Sequence, residues 1–511
     1  MKFDGSFTQD PNNRGTTGDS MADFLLGDAS GGTIGNQNGE SMLSHNYSAF
    51  FQDDWRVTPR LTLNLGVRWD RFGPPSFHSI YAARYEFQYG SQAYQIVAPR
   101  GTSDCGCVQN NKNFSPRLGF AFQASPKTVI RSGFGTYYGE PSYENEDAAR
   151  FFNQPPNFTE ISFPTDKLLS PALVVAQGFP AGLLPTSVVR QNSSVSTAQP
   201  YKPNQYSVEW FFDVQQQLPA QIVLTMSYLG EGVRQLAFPQ NINTPFAPGP
   251  GVLQNRRPWP FFSSITQYPA GANSSYNGLT VKGVKRYSNG LEFLTSYTWS
   301  HDIDDGPGLL NDNTSLVRNP YNLSLDRGNA AYDVRHVFTG SFNYDLPVGK
   351  GRRWLRSGGP LDWFFGGWQA GGILTLQTGQ YFTPTLSVDL TNTGTTNFPN
   401  AVFDPNLPSA QRNIQRWFNL SAFVLPQPYV YGNAGRGIIE GPPLNNMDLK
   451  ISKNFYMRER YRFEFRAEMF NFTNTPHFAL PNATMNSPQE GRITSTTGNP
   501  RLIQGALKFV F

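Results

Sequence analysis

The sequence predicts an all-β fold: a transmembrane antiparallel β-barrel of the outer-membrane type, with about fourteen strands. Three observations predict it. Many stretches alternate apolar and polar residues with period two. The stretches pair through tight turns, and long polar connections separate the pairs. The composition is aromatic-rich and charge-poor, yet polar on average.

The chain has 511 residues, more than one ordinary globular core holds. It carries 41 Phe and 23 Tyr, only 15% of residues are charged, and the mean hydropathy is −0.43. No run of about 18 apolar residues occurs, which excludes a transmembrane helix. Such a mixture arises when one face of many strands meets lipid and the other meets water. A net charge of +4 is too weak and too dispersed to point to nucleic acid. Cys105 and Cys107 flank Gly106. They build neither a zinc quartet nor a redox scaffold, and a strained local disulfide and two plain thiols stand as equal alternatives. The opening MKFDGSFTQD has no apolar h-region, so no secretory signal is read there.

The strands fall near 2–8, 46–57, 61–73, 113–124, 128–138, 203–216, 221–231, 276–287, 290–301, 335–346, 367–379, 446–455, 460–472 and 501–511. Most exceed the usual five or six residues and suit a tilted bilayer crossing. In RLTLNLGVRWD, Leu61, Leu63, Leu65, Val67 and Trp69 share one face. In NQYSVEWFFDV, Tyr206, Val208, Trp210, Phe212 and Val214 oppose Ser207, Glu209 and Asp213. In GLEFLTSYTWS, Leu291, Phe293, Thr295, Tyr297 and Trp299 align. In RYRFEFRAEMF, Tyr461, Phe463, Phe465, Ala467 and Met469 oppose Arg462, Glu464, Arg466 and Glu468.

Tight turns are expected at Thr58-Pro59-Arg60, Ser125-Pro126-Lys127, 217–220, Ser288-Asn289 and 457–460, where Pro, Asn and Ser supply the turn chemistry. Long connections occupy 9–45, 74–112, 139–202, 233–275, 302–334, 380–445 and 473–500. Short and long alternate, with one medium-length irregularity at 347–365. Outer-membrane barrels keep short turns on the periplasmic side and long loops outside. The chain ends RLIQGALKFVF, with Ile503, Gly505, Leu507, Phe509 and Phe511 on one face. This last strand is expected to close the cylinder, with Phe511 in the periplasmic aromatic girdle.

The segments SAFFQDDWRVTPRLTLNLGVRWD, YDVRHVFTGSFNYDLPVGKGRRW, GGWQAGGILTLQTGQYFT, NNMDLKISKNF and RFEFRAEMFNFTNTPHF, with ADFLLG at 22–27, resemble the barrel of Oar-like TonB-dependent receptors over essentially the whole chain. The resemblance implies a 22-stranded barrel in the outer membrane of a Gram-negative bacterium, with a plug and a TonB box. A carboxypeptidase-regulatory-like domain often precedes the plug. It also implies that the terminal Phe511, with Phe509 beside it in the outward row, is read by the barrel assembly machinery. This sequence shows no plug, TonB box or signal peptide. Fourteen strands from twenty-two leaves eight, so the chain is expected to be the C-terminal portion of a longer receptor, over residues 1–511. A TonB complex would act only through the missing plug.

Other motifs carry less. GKGRR at 349–353 lacks the phosphate-loop spacing and reads as a basic periplasmic turn with Trp354 at the interface. Asp302, Asp304, Asp305 and Asp312 make an acidic external loop without EF-hand spacing; a solvated loop is favoured over calcium. His45, His78, His301, His336 and His477 are scattered without ligand spacing. Arg462, Glu464, Arg466 and Glu468 are read as paired charges lining a wet lumen, with Asp448 and Lys450 as cross-strand partners. Trp259, Phe261, Phe262 and Trp417 either touch a ligand or pack the loops on themselves. No catalytic motif, cofactor or metal site is read. The expected function is ligand binding and transport by an outer-membrane receptor barrel. The alternative is a structural or adhesive surface barrel, and a soluble all-β enzyme ranks below both.

Overall fold

The computed structural model describes residues 1–13, 16–36, 42–73, 76–77, 84–97, 110–139, 159–162, 170–178, 191–197, 199, 203–306, 317–357, 359–457 and 461–511. One antiparallel sheet dominates. Its long strands are β1 (Asn46–Thr58), β2 (Leu61–Phe72), β3 (Asn113–Ser125), β4 (Thr128–Tyr138), β5 (Tyr206–Leu218), β6 (Ile222–Ala237) and β7 (Ala270–Ser288). They continue with β8 (Leu291–Asp304), β9 (His336–Asp345), β10 (Trp368–Gln377), β11 (Leu444–Met457), β12 (Tyr461–Phe470) and β13 (Leu502–Val510). Each pairs with its neighbours in sequence, so the strand order is a simple meander. A fourteenth, two-residue strand, Gly328–Asn329, pairs with the loop end of β8.

The register carries one face unbroken across the sheet. Trp55 lies opposite Leu63, Leu63 opposite Phe120, and Phe134 opposite Trp210. At the other side Ala370 lies opposite Ile451, Phe455 opposite Phe463, and Phe463 opposite Phe509. A slip of one residue in any pair would break this face. Almost every apolar residue of the described barrel strands is half-buried or exposed; among the buried apolar residues only Ala272 belongs to a long strand. Among the described residues no second layer covers the apolar face beyond one short helix at its end, so that face needs an apolar solvent.

The turns follow their residues. Between β7 and β8, Asn289 (φ 53°) and Gly290 (φ 79°) form the two-residue turn that requires positive φ at both positions. In the middle of β6, Gly230 faces Trp210; a Cβ there would fall 2.2 Å from the indole ring. The four described short connections and the 346–367 segment lie at one end of the sheet. The long connections lie at the other. The 346–367 segment folds on itself and includes a short helix, Pro360–Phe365.

Two expectations are corrected. Residues 2–8 do not form a strand: only Lys2 bridges, to Gly31, and the chain then turns at Gly5 (φ 82°) with Ser6 donating to Asp4 Oδ1. Phe3 instead packs edge-on against Phe24 of the helix Ser20–Leu26, which Asp19 caps. The last strand does not close a cylinder either. Among the described residues β1 and β13 each pair with one neighbour and not with each other. Every residue of β1 is exposed on both faces. In addition, β6 and β7 run further than expected, so the 233–275 connection shortens to 238–269. The turn at 458–460 lies outside the described residues.

The two faces should tolerate charge unequally. Phe463→Arg puts a cation on the apolar face and is expected to cost about 2–4 kcal/mol of membrane-folded stability near the bilayer midplane. Glu464→Arg, one residue along on the polar face, is expected to cost much less, as read by denaturant titration in lipid vesicles.

Candidate functional site: the loop cap and the polar face

The face opposite the apolar one is polar. Arg462, Glu464, Arg466 and Glu468 project from β12 onto it. Glu468 lies in register with Lys450 on β11 and Gln504 on β13, and Glu464 with Asn454 and Lys508. Arg466 Nε approaches Glu468 Oε1 at 3.5 Å. Lys450 is thus placed to neutralise Glu468. Asp448 is not a partner of these charges: it lies beyond them at the loop end, where it accepts from the Asn471 backbone N–H at 2.8 Å and from Asn446 Nδ2 at 3.1 Å. On the other face, the Phe509 ring stands 4.7 Å from Phe463 and 5.8 Å from Phe511.

The long connections are not loose. Those over 380–441 and 478–493 share a core containing Phe382, Phe398, Trp417, Phe418, Phe423 and Ile439. A second core joins Tyr85, Val195, Ile242, Trp259, Phe262 and Ile265, with Phe87, Tyr94 and Phe261 packed against it. Trp259 and Phe262 are at most 1% exposed. Asn243 organises this second core: its Nδ2 donates to the Trp259 and Phe262 carbonyls, and its Oδ1 accepts the Trp259 N–H. Of the two roles open to these aromatics, the structure places Trp259, Phe262 and Trp417 in the packing of the loops on themselves.

Buried charges tie the connections together. Arg436 donates to the Asp326 carbonyl at 2.7 Å and to both the carbonyl and carboxylate of Asp304. Arg318 donates to the carbonyls of Gly432 and Ala434 at 3.1 Å, lies 3.5 Å from Asp326 Oδ1, and stacks 4.0 Å from the centre of the Phe398 ring. Burial raises the Asp326 carboxyl and lowers the Arg318 guanidinium, each against the pull of the other. No local pattern announces this network, since Arg436 lies more than a hundred residues from Asp304 and Asp326 in the chain.

The acidic loop is committed to protein donors. Asp302 accepts from Ser274 Oγ at 2.7 Å, Asp304 pairs with Arg436, and Asp305 accepts from Asn273 Nδ2 at 3.3 Å. Among the described residues no group of three or more metal-ligating side chains converges. Asp312, Cys105, Cys107 and His78 lie outside the described residues. His301 pairs with Asp333, His336 with the Tyr297 hydroxyl, and His477 with the Asn445 carbonyl. His45 lies just before β1, where its carbonyl accepts from the Gly73 N–H.

Removing one member of a buried ion pair strands the other. Arg436→Ala is expected to destabilise the cap by about 3–5 kcal/mol, read as lost hydrogen-exchange protection over 323–330 and 432–441. Arg412→Ala, which breaks the more accessible pair with Glu440, should leave those segments protected.

The fold is similar to that of the outer membrane transporter YddB from Escherichia coli, at a TM-score of 0.50 and 10% identity, over 91% of this chain and 45% of that chain. The ferripyoverdine receptor of the outer membrane of Pseudomonas aeruginosa aligns at a TM-score of 0.44 and 10% identity, over 92% of this chain and 39% of that one. The chain thus spans less than half the length of these structures. No curated protein matches the sequence. The family model for the outer membrane beta barrel domain matches residues 1–504. The chain belongs to the outer membrane β-barrel domain family, and its place is the bacterial outer membrane.

Proposed function

We propose that this chain is barrel wall of an Oar-like TonB-dependent receptor, which binds a ligand at its loop cap and passes it across the outer membrane when complete. One observation carries the reading: a two-faced meander whose described long connections gather at one end, where they pack around cores of their own. The polar face, with Arg462, Glu464, Arg466 and Glu468, would line the water-filled interior. The open edges at β1 and β13 would be completed by further strands. Thirteen spanning strands from twenty-two leaves nine, and β1 then descends from the loop end as the tenth strand of such a barrel would. Energy from the TonB complex would enter through a plug on the same polypeptide.

A second reading, a structural or adhesive surface barrel, is favoured by one feature. Val402, Phe403, Val424 and Leu425 are exposed on and beside the adjoining short strands Asn400–Ala401 and Phe423–Val424 of the cap. Such a patch suits a protein contact.

The two readings separate in the genome. Receptor function expects an in-frame upstream region encoding about nine strands, a plug, a TonB box and a signal sequence. A clean promoter and intergenic region there, in an intact genome, would contradict it. Assembly gives a further test. The terminal Phe511 is 82% exposed, so its deletion removes little packing. We expect the deletion to lower the heat-modifiable barrel in the outer membrane while synthesis continues; unchanged folded yield would leave Phe511 as a girdle aromatic alone.

A further inference from the structure

Among the described connections at the short-turn end, that from β9 to β10 is the only one that is not tight. Its residues make it a basic turn with Trp354 expected at the interface. The structure adds where its helix lies. Lys453 belongs to the apolar face, because it shares that face with Phe455 and lies opposite Trp368 and Phe465. A bare lysine there would be costly in lipid. It is instead 3% exposed. Its Nζ donates to the Trp363 and Phe364 carbonyls at the end of the Pro360–Phe365 helix. Trp368 Nε1 donates to the same Phe364 carbonyl at 2.9 Å, and the Trp363 ring meets Phe455 at 5.4 Å. The helix therefore lies against the outside of the sheet, on the face that meets lipid, at its short-turn end.

The helix then turns its own apolar side chains outward. Leu361, Trp363, Phe364 and Phe365 are each about 60% exposed, and Trp354 beside them 55%. They continue the row of apolar side chains on the barrel exterior. Lys350, Arg353 and Arg356 on the adjoining turn are exposed. Among the described residues none of the three has a carboxylate partner, whereas Arg352 is paired with Asp345 at 2.9 Å. Aromatic side chains on one part and unpaired cations on the next fit an interfacial anchor.

We propose that residues 347–365 anchor this end of the barrel in the adjacent leaflet. The apolar residues of the helix enter the acyl layer, and Lys350, Arg353 and Arg356 bind the phosphate of an anionic phospholipid headgroup. Continuity with the lipid-facing surface and the unpaired positive charge both point to this occupant, and neither depends on what the barrel transports.

The test uses the protein as the outer membrane holds it, in its native polypeptide, purified and reconstituted into vesicles of phosphatidylcholine, with or without phosphatidylglycerol. Leu361→Cys, in a Cys105→Ser, Cys107→Ser background, carries an NBD label. The label should emit in the blue, as in hydrocarbon, and resist aqueous dithionite on its own leaflet. In detergent, native mass spectrometry should show phosphatidylglycerol retained over phosphatidylcholine. Lys350→Gln, Arg353→Gln and Arg356→Gln together should reduce that preference by about tenfold or more. These three residues are exposed, and the labelled chain without them altered reports the helix position independently. A water-like, rapidly quenched label would overturn the insertion. Equal retention of the two lipids, or a preference unchanged in the triple variant, would overturn the headgroup site.

Discussion

Every backbone polar group that enters hydrocarbon must find a partner within the protein. The rest of this structure depends on that constraint. It explains why the chain is a meander of long neighbouring strands, and why register is kept from Trp55 on β1 to Phe509 on β13. It also gives the two edges their meaning. An edge strand presents a row of unpaired donors and acceptors, and β1 is exposed along its whole length. A bilayer does not tolerate such edges, and on the proposed reading further strands fill the gap between β1 and β13.

The two ends of the sheet solve different problems. At the short-turn end the chain reverses with as few residues as possible, and the one longer connection uses its length to cover Lys453. At the other end the connections are long enough to bury aromatic cores of their own. There the protein resembles an ordinary globular domain, with Trp and Phe side chains buried in shared cores. Arg318 and Arg436 hold the connections to one another through backbone carbonyls. Buried pairs of this kind add little net stability but penalise alternatives that leave a charge unpartnered. They give the cap one arrangement rather than many.

The long strands were legible in the sequence because period-two alternation is a local signal and tight turns have their own residue chemistry. The apolar faces of Leu61–Trp69, Tyr206–Val214 and Leu291–Trp299 were read correctly for that reason. Residues 2–8 misled because Phe3 and Phe7 mimic alternation, while Asp4, Gly5 and Ser6 prefer a turn. The cap cores were not legible. They join residues as distant as Tyr85 and Phe262, in segments without any period. The partners of Arg436 and the cover over Lys453 were hidden for the same reason. Lys450 was foreseen as a cross-strand partner because it shares a face with Glu468, but Asp448 falls past the paired stretch and serves the loop instead.

The central claim is that one strand face meets lipid and the other meets water. The most direct measurement places a spin label at each position from 61 to 69 along β2, one at a time, in lipid vesicles. Collision with oxygen, which concentrates in hydrocarbon, is compared with collision with a water-soluble nickel complex. The account expects strict alternation, with 61, 63, 65, 67 and 69 favouring oxygen and 62, 64, 66 and 68 favouring nickel. Uniform accessibility along the strand, or the opposite phase, would contradict it.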